Sequence, residues 1–177
     1  MWFYIVLCVL LVLFAILFVV FVINKNKYQV LLIKINESEK NINELLNKKY
    51  NLLLEIGKAI SSKTNEEAFD NLENIIIDNL NSFELNAELA KFDNIVMEYS
   101  DFNKDIVFDD EELKLFDEIS AVNIECLASE RYFNDNSRIF NKLLTKFPSS
   151  FVGKLKRYKE KEFYLNKKEE IFEILKK

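Results

Sequence analysis

Hydrophobic and polar positions along the chain fall into two regimes. From Trp2 to Ile23 every residue is apolar or aromatic. At about 1.5 Å per residue a helix over that run reaches about 33 Å, enough to cross a hydrocarbon core of about 30 Å. A cleaved secretory signal needs a basic start, a shorter apolar stretch and a small-residue cleavage site. Trp2-Phe3-Tyr4 at one end and Phe18-Val19-Val20-Phe21-Val22-Ile23 at the other supply none of these. The expectation is an uncleaved transmembrane anchor over residues 1–23, in contact with the lipid bilayer through residues 2–23. Cys8 lies inside the run rather than after it, which argues against lipoprotein processing and for a lipid-facing or buried side chain.

After the anchor the apolar positions become periodic. Ile42, Leu45, Leu46, Leu53, Ile56 and Ile60 recur at helical spacing, with Lys48, Lys49, Glu55 and Lys58 on other faces. No helix breaker separates them from the span, although Asn24 to Asn26 mark a place for a bend. Ser61 to Asn65 form a polar break, and Thr64 followed by Glu67 has the pattern of a capping box that opens a new helix. Phe69, Leu72, Ile76, Leu80, Phe83, Ala87, Phe92, Val96 and Tyr99 then predict a second helix ending near Ser100. The acids Asp109, Asp110, Glu111 and Glu112 suit the positive end of a third helix. Its seam runs Leu115, Ile119, Val122, Cys126, Ser129, Phe133, Asn136, Phe140, Leu144, Phe147 in alternating steps of coiled-coil type and stops at Pro148. From Lys154 onward the residues are again helix-forming and net basic, with Tyr158, Phe163, Tyr164 and Phe172 interspersed.

With two glycines and one proline in 177 residues, the chain has little turn punctuation, which favours long helices over hairpins. The expected fold is all-α: an N-terminal transmembrane helix followed by an antiparallel bundle of three to four long helices. Its parts are an anchor (1–23), a juxtamembrane helix or connector (24–40), a helical bundle (41–153) and a basic helical tail (154–177). Lys25, Lys27 and Lys34 just after the span place the C-terminal domain in the cytoplasm and the N-terminus outside. A formal net charge of −5 argues against a nucleic-acid binder. Cys126 is the lone thiol of the polar part, so no intramolecular disulfide framework forms there.

One stretch resembles a known family. In Arg131-Tyr132-Phe133-Asn134-Asp135-Asn136-Ser137-Arg138-Ile139-Phe140-Asn141, followed by Phe147-Pro148-Ser149, an aromatic-Asn-Asp turn precedes a second Asn and then Phe-Pro-Ser. This resembles the signature of the bacterial LemA family, with a later aromatic at Phe163 or Tyr164. Upstream, Lys48-Lys49-Tyr50-Asn51-Leu52 is similar to the family's basic-basic-Tyr-Asp-Leu segment. The chain departs from the pattern at Leu54, near a usual proline, and at Asn123-Ile124-Glu125, where Glu-Asn-Arg is common, as a divergent member would. The resemblance implies a membrane-anchored helical bundle at the inner (cell) membrane, single-pass, with its bulk in the cytoplasm and no assigned enzymatic activity.

No set of residues assembles into a catalytic site in the sequence. Histidine is absent, which removes the usual zinc ligand and general base. Cys126 lacks a histidine partner and occupies a seam position, so it reads as a small core residue rather than a reactive thiol. The acidic run 109–112 lacks the alternating oxygen donors and glycine of a calcium loop and suits helix capping. No cofactor, metal site or catalytic residue is expected. The richest polar cluster is Arg131, Asn134, Asp135, Arg138 and Asn141, with Asn134, Arg138 and Asn141 on one helical face. It is either an interaction surface or an interhelical hydrogen-bond network, with Asn136 fixing register in the seam. Lys154, Lys156, Arg157, Lys159 and Lys161 with Phe151, Tyr158 and Phe163 either clamp an anionic bilayer or form a solvated face. The leading expectation is a non-enzymatic, membrane-anchored module with a protein-interaction or scaffold role, through a protein partner or as a homo-oligomer. The alternative is a ligand- or anionic-lipid-sensing protein using the Asn134/Arg138/Asn141 face or the basic tail.

Overall fold

A computed structural model describes the chain apart from residues 65–68, 74, 76, 78, 79, 102–106 and 165–177, and without the side chains of 70, 73, 100 and 101. Glu67, Ile76 and Phe172, and with them parts of the expected capping box, second helix and tail, lie outside the described residues. Among the described residues the chain is helical, with no strand: α1 (Trp2–Thr64), α2 (Asp70–Glu73), α3 (Ser82–Asp101), α4 (Asp110–Thr145) and α5 (Ser149–Leu155). They group into two compact units, Met1–Glu37 with Tyr132–Lys177, and Ser38–Arg131.

The apolar run and the first periodic segment form one helix of 63 residues. Asn24 does not bend it, because its amide donates to the Val20 carbonyl one turn back at 2.7 Å and so satisfies itself within the helix. The expected break at Ser61 is likewise absent. Ser62 and Thr64 hydroxyls bond back to the carbonyls of Ala59 and Ile60, and the helix continues through Thr64. The apolar segment is long and hydrophobic enough to cross a membrane, and none of its most apolar window is buried against the rest of the chain.

In the unit Ser38–Arg131, Ile42, Leu45, Leu46, Leu53, Ile56 and Ile60 are all buried, as their spacing predicts. Contacts between α1 and α4 run in opposite senses: Asn41 donates to Ser129 at 2.8 Å, and Lys63 pairs with Glu112 at 2.7 Å. Those between α3 and α4 do the same, from Asn86 with Glu130 to Asp93 with Asn123.

The second helix differs from its expected course. A capping box at Asn81 and Glu84 starts α3 afresh: the Glu84 N–H donates to Asn81 Oδ1 and the Asn81 N–H to Glu84 Oε2, both at 3.0 Å. A helix restarted at Ser82 takes its own phase. Leu85 and Leu89 are buried ahead of Phe92, Val96 and Tyr99, while Ala87 is exposed. The start of α4 follows the sequence reading. Asp109 accepts from the N–H groups of Glu111 and Glu112, and Glu112 accepts from the Asp109 N–H in return.

Gly57 lets α1 approach Phe69, whose ring stacks on Phe92 at 5.7 Å. A Cβ on Gly57 would lie 2.7 Å from Phe69 Cβ and 2.8 Å from its Cγ, atoms too close to the backbone to swing away. Alanine gains up to about 1 kcal/mol in helix propensity, but overpacking of this kind costs about 1–3 kcal/mol. Gly57→Ala is therefore expected to destabilise the full chain by about 1 kcal/mol net, read from denaturant unfolding in mild detergent.

Candidate functional site

The second half of α4 carries the polar cluster, and the helix sorts its members by face. In the unit formed by Met1–Glu37 and Tyr132–Lys177, Asn134 is buried. Its amide Nδ2 donates to the Tyr164 carbonyl at 2.9 Å, and its Oδ1 accepts the Tyr164 N–H at 2.8 Å. Asn141, two turns on, makes the same pair of bonds to Lys161, both at 2.8 Å. Seven helical residues rise about 10.5 Å, and three residues of extended chain cover about 10 Å. The two carboxamides therefore match the backbone of an extended segment running against the direction of α4.

That segment is not the helix expected from Lys154. The short α5 ends in a closed turn: the Arg157 N–H reaches the Lys154 carbonyl at 3.1 Å and the Tyr158 N–H reaches the Gly153 carbonyl at 3.0 Å. Arg157 takes the left-handed conformation, φ 54°, that such a C-terminal motif requires. From Tyr158 to Tyr164 the chain is non-helical, and the backbone groups of Lys161 and Tyr164 bond to Asn141 and Asn134.

Aromatic rings seat both ends of the strap. Tyr164 packs edge-on against Phe133 at 5.0 Å. Tyr158 lies 5.1 Å from Tyr28 and 5.7 Å from Phe140, while Tyr28 and Phe140 meet at 5.4 Å. The Tyr28 hydroxyl donates to the Ser149 carbonyl at 3.2 Å, and burial, followed by the proximity of Tyr158, raises its pKa. Ser137, between the two clamping asparagines on α4, is fully buried, and its hydroxyl has no hydrogen-bond partner among the described residues.

The other members of the cluster face outward. Asp135 and Arg138 pair at 2.9 Å with side chains 68% and 63% exposed, a geometry worth a few tenths of a kcal/mol. Arg131 is also exposed. Asn136 is buried and donates to the Tyr132 carbonyl one turn back. The face of Asn134 and Asn141 is thus occupied by the chain's own backbone, and Arg138 does not join it. Phe147, expected in the seam, is 85% exposed, because α4 ends at Thr145 and the turn carries Phe147 out of phase.

A second polar cluster lies inside the unit Ser38–Arg131. The Lys49 ammonium, its side chain 4% exposed, meets Asp93 at 2.6 Å, and Asn123 donates to the other Asp93 oxygen at 3.3 Å. Glu130 accepts from Asn86 at 2.9 Å. Burial raises its pKa, opposed by the Asn86 hydrogen bond and by Lys49. Cys126 is buried, and desolvation pushes its thiol up to about 11, so the nucleophilic thiolate is disfavoured at neutral pH. Of the acidic run, Asp109 and Glu112 cap α4, and Glu112 also holds Lys63. Among the described residues no three His, Cys, Asp or Glu side chains are placed to hold a metal ion.

A carboxyl whose pKa is raised by folding binds its proton more tightly in the native state. Its contribution is most favourable below the ordinary carboxylate pKa and is lost as pH rises through the folded value. Glu130→Gln keeps the oxygen that accepts from Asn86 and removes the ionisation. It is expected to raise the unfolding midpoint at pH 7 and to leave it nearly unchanged below about pH 4, as thermal scans across that range would show.

Comparison of the chain with family models, with curated proteins and with solved structures finds no match.

Proposed function

We propose that this chain is a non-enzymatic, single-pass membrane protein that holds a helical module of LemA type against the cytoplasmic face of the cell membrane. In this reading the module is an antiparallel bundle that serves as a scaffold for a protein partner or a second copy. The observation that carries it is α1: one helix includes both an unburied apolar segment of membrane-spanning length and the buried stripe from Ile42 to Ile60. The opposed contacts of α1 and α3 with α4 support the bundle. The lysines after Ile23 support the orientation. The polar side chains most suggestive of chemistry are engaged in structure: Asn134 and Asn141 on backbone, Lys49 on Asp93, and Cys126 as a protonated thiol.

Cross-linking in native membranes, followed by sizing of the detergent-solubilised full chain, tests the scaffold role. A discrete homo-oligomer or a reproducible cross-linked partner is expected. A chain that stays monomeric and captures nothing would remove the basis for it.

A further inference from the structure

The structure places a second apolar surface beside the end of the membrane span. Tyr28 stands five residues beyond Ile23 on the continuous helix α1, about 7.5 Å further along its axis. Its hydroxyl bonds to the Ser149 carbonyl at 3.2 Å. A Cβ at Gly153 would fall 2.9 Å from that same hydroxyl oxygen. The start of α5 is thereby bonded to α1 at the level of Tyr28, and Gly153 packs closely against the same ring, inside one compact unit. When residues 2–23 fill the hydrocarbon core, that level lies at the edge of the headgroup layer, which adds roughly 5–7 Å on each side.

What α5 and its flanking turns expose there is unusual for a surface facing water. Phe147, Phe151 and Leu155 are 85%, 63% and 60% exposed, and Lys154, Lys156 and Arg157 beside them are exposed as well. Large apolar side chains with interspersed cations, and no anion from Lys146 to Lys159, have the composition of a segment that lies in a bilayer interface. We propose that α5 is a peripheral membrane contact. Phe147, Phe151 and Leu155 enter the headgroup layer, and Lys154, Lys156 and Arg157 bind the phosphates of anionic lipids. This contact rests on α1 spanning the membrane. Each cation near an anionic surface multiplies partitioning by about fivefold, so the contact responds to lipid charge and to salt. Because α5 leads directly into the strap held by Asn141 and Asn134, lipid binding and the docking of residues 158–164 act on the same short connection.

The test uses the full chain in vesicles, with Trp2→Phe to remove the native tryptophan and one reporter restored. Phe151→Trp reports α5, and Phe14→Trp, near mid-span, reports the anchor. A quencher on the lipid headgroup is expected to quench the Phe151→Trp reporter at least twofold more in vesicles containing about 30% anionic lipid than in neutral ones. The difference is expected to disappear in 0.5 M salt and with Lys154→Glu, Lys156→Glu and Arg157→Glu combined, all at exposed positions. An unquenched reporter at 151, or equal quenching in neutral and anionic vesicles, overturns the proposal. A quencher at the bilayer centre acting on the Phe14→Trp reporter separates that failure from failure of the span itself.

Discussion

Asn134→Ala is expected to cost the full chain about 2–4 kcal/mol of stability and to free the segment from Tyr158 to Tyr164. The single carboxamide supplies both a donor and an acceptor to Tyr164, which is 2% exposed. Truncation removes the partner that Asn134 supplies to a buried backbone N–H and to a buried carbonyl, at about 1–3 kcal/mol each. Asn141→Ala removes the same two bonds from half-buried Lys161, where water can substitute in part, so about 1–2 kcal/mol is expected. Hydrogen exchange reads the effect locally. The amides of Lys161 and Tyr164 are protected in the native chain and exchange at least tenfold faster in the variants, while those in the middle of α4 stay protected. Loss of protection throughout α4 in Asn141→Ala would instead make the asparagines part of the helix core rather than a clamp on the strap.

Asp93→Ala is expected to destabilise the other unit by about 3 kcal/mol or more. Lys49 is almost wholly removed from water, and Asp93 meets it at 2.6 Å. Deleting one partner of such a pair strands a buried charge, at about 3–5 kcal/mol. Replacing both, as Lys49→Met with Asp93→Leu, removes the charge together with its counter-ion and is expected to come within about 1 kcal/mol of the native chain or to exceed it. Denaturant unfolding of the three proteins in the same detergent checks both statements. A double variant that loses as much as Asp93→Ala alone would contradict the stranded-charge account, because replacing Lys49 would then relieve none of the cost.

The parts of this fold that were legible in the sequence are those set by local periodicity. The long apolar N-terminal helix, the stripe from Ile42 to Ile60, the start of α4 at Asp109 and its inward line through Ile119, Val122, Cys126, Phe133 and Phe140 all follow from spacing and helix-end chemistry. The break before α3 was present as Asn81-Ser-Phe-Glu84, a capping box with asparagine at its head. The apolar residues on either side of it suggested a continuous helix and masked the signal. The strap had no local signature, because its hydrogen bonds join residues twenty and thirty apart, Asn141 to Lys161 and Asn134 to Tyr164. Basic and helix-prone residues from Lys154 onward pointed to another helix, and side-chain capture of the backbone overrode that propensity.

The residues that carry the family resemblance turn out to have structural work. Asn134 and Asn141 clamp the strap, Phe133 seats Tyr164, Lys49 is a buried ion-pair member, and the turn of Phe147-Pro148-Ser149 presents the carbonyl that holds Tyr28. Asp135 and Arg138 form an exposed pair beside them. The cluster's polarity was therefore readable in sequence, whereas its division into an inward clamp and an outward ion pair depended on a partner segment that only the folded chain reveals.

Alkaline carbonate extraction of membranes containing the full chain tests most directly whether α1 anchors the module. A helix spanning the bilayer through residues 2–23 leaves the protein in the membrane pellet at pH 11, and a chain lacking residues 2–23 passes to the supernatant. Release of the full chain under the same treatment would contradict the anchor and, with it, the placement of the module at the membrane.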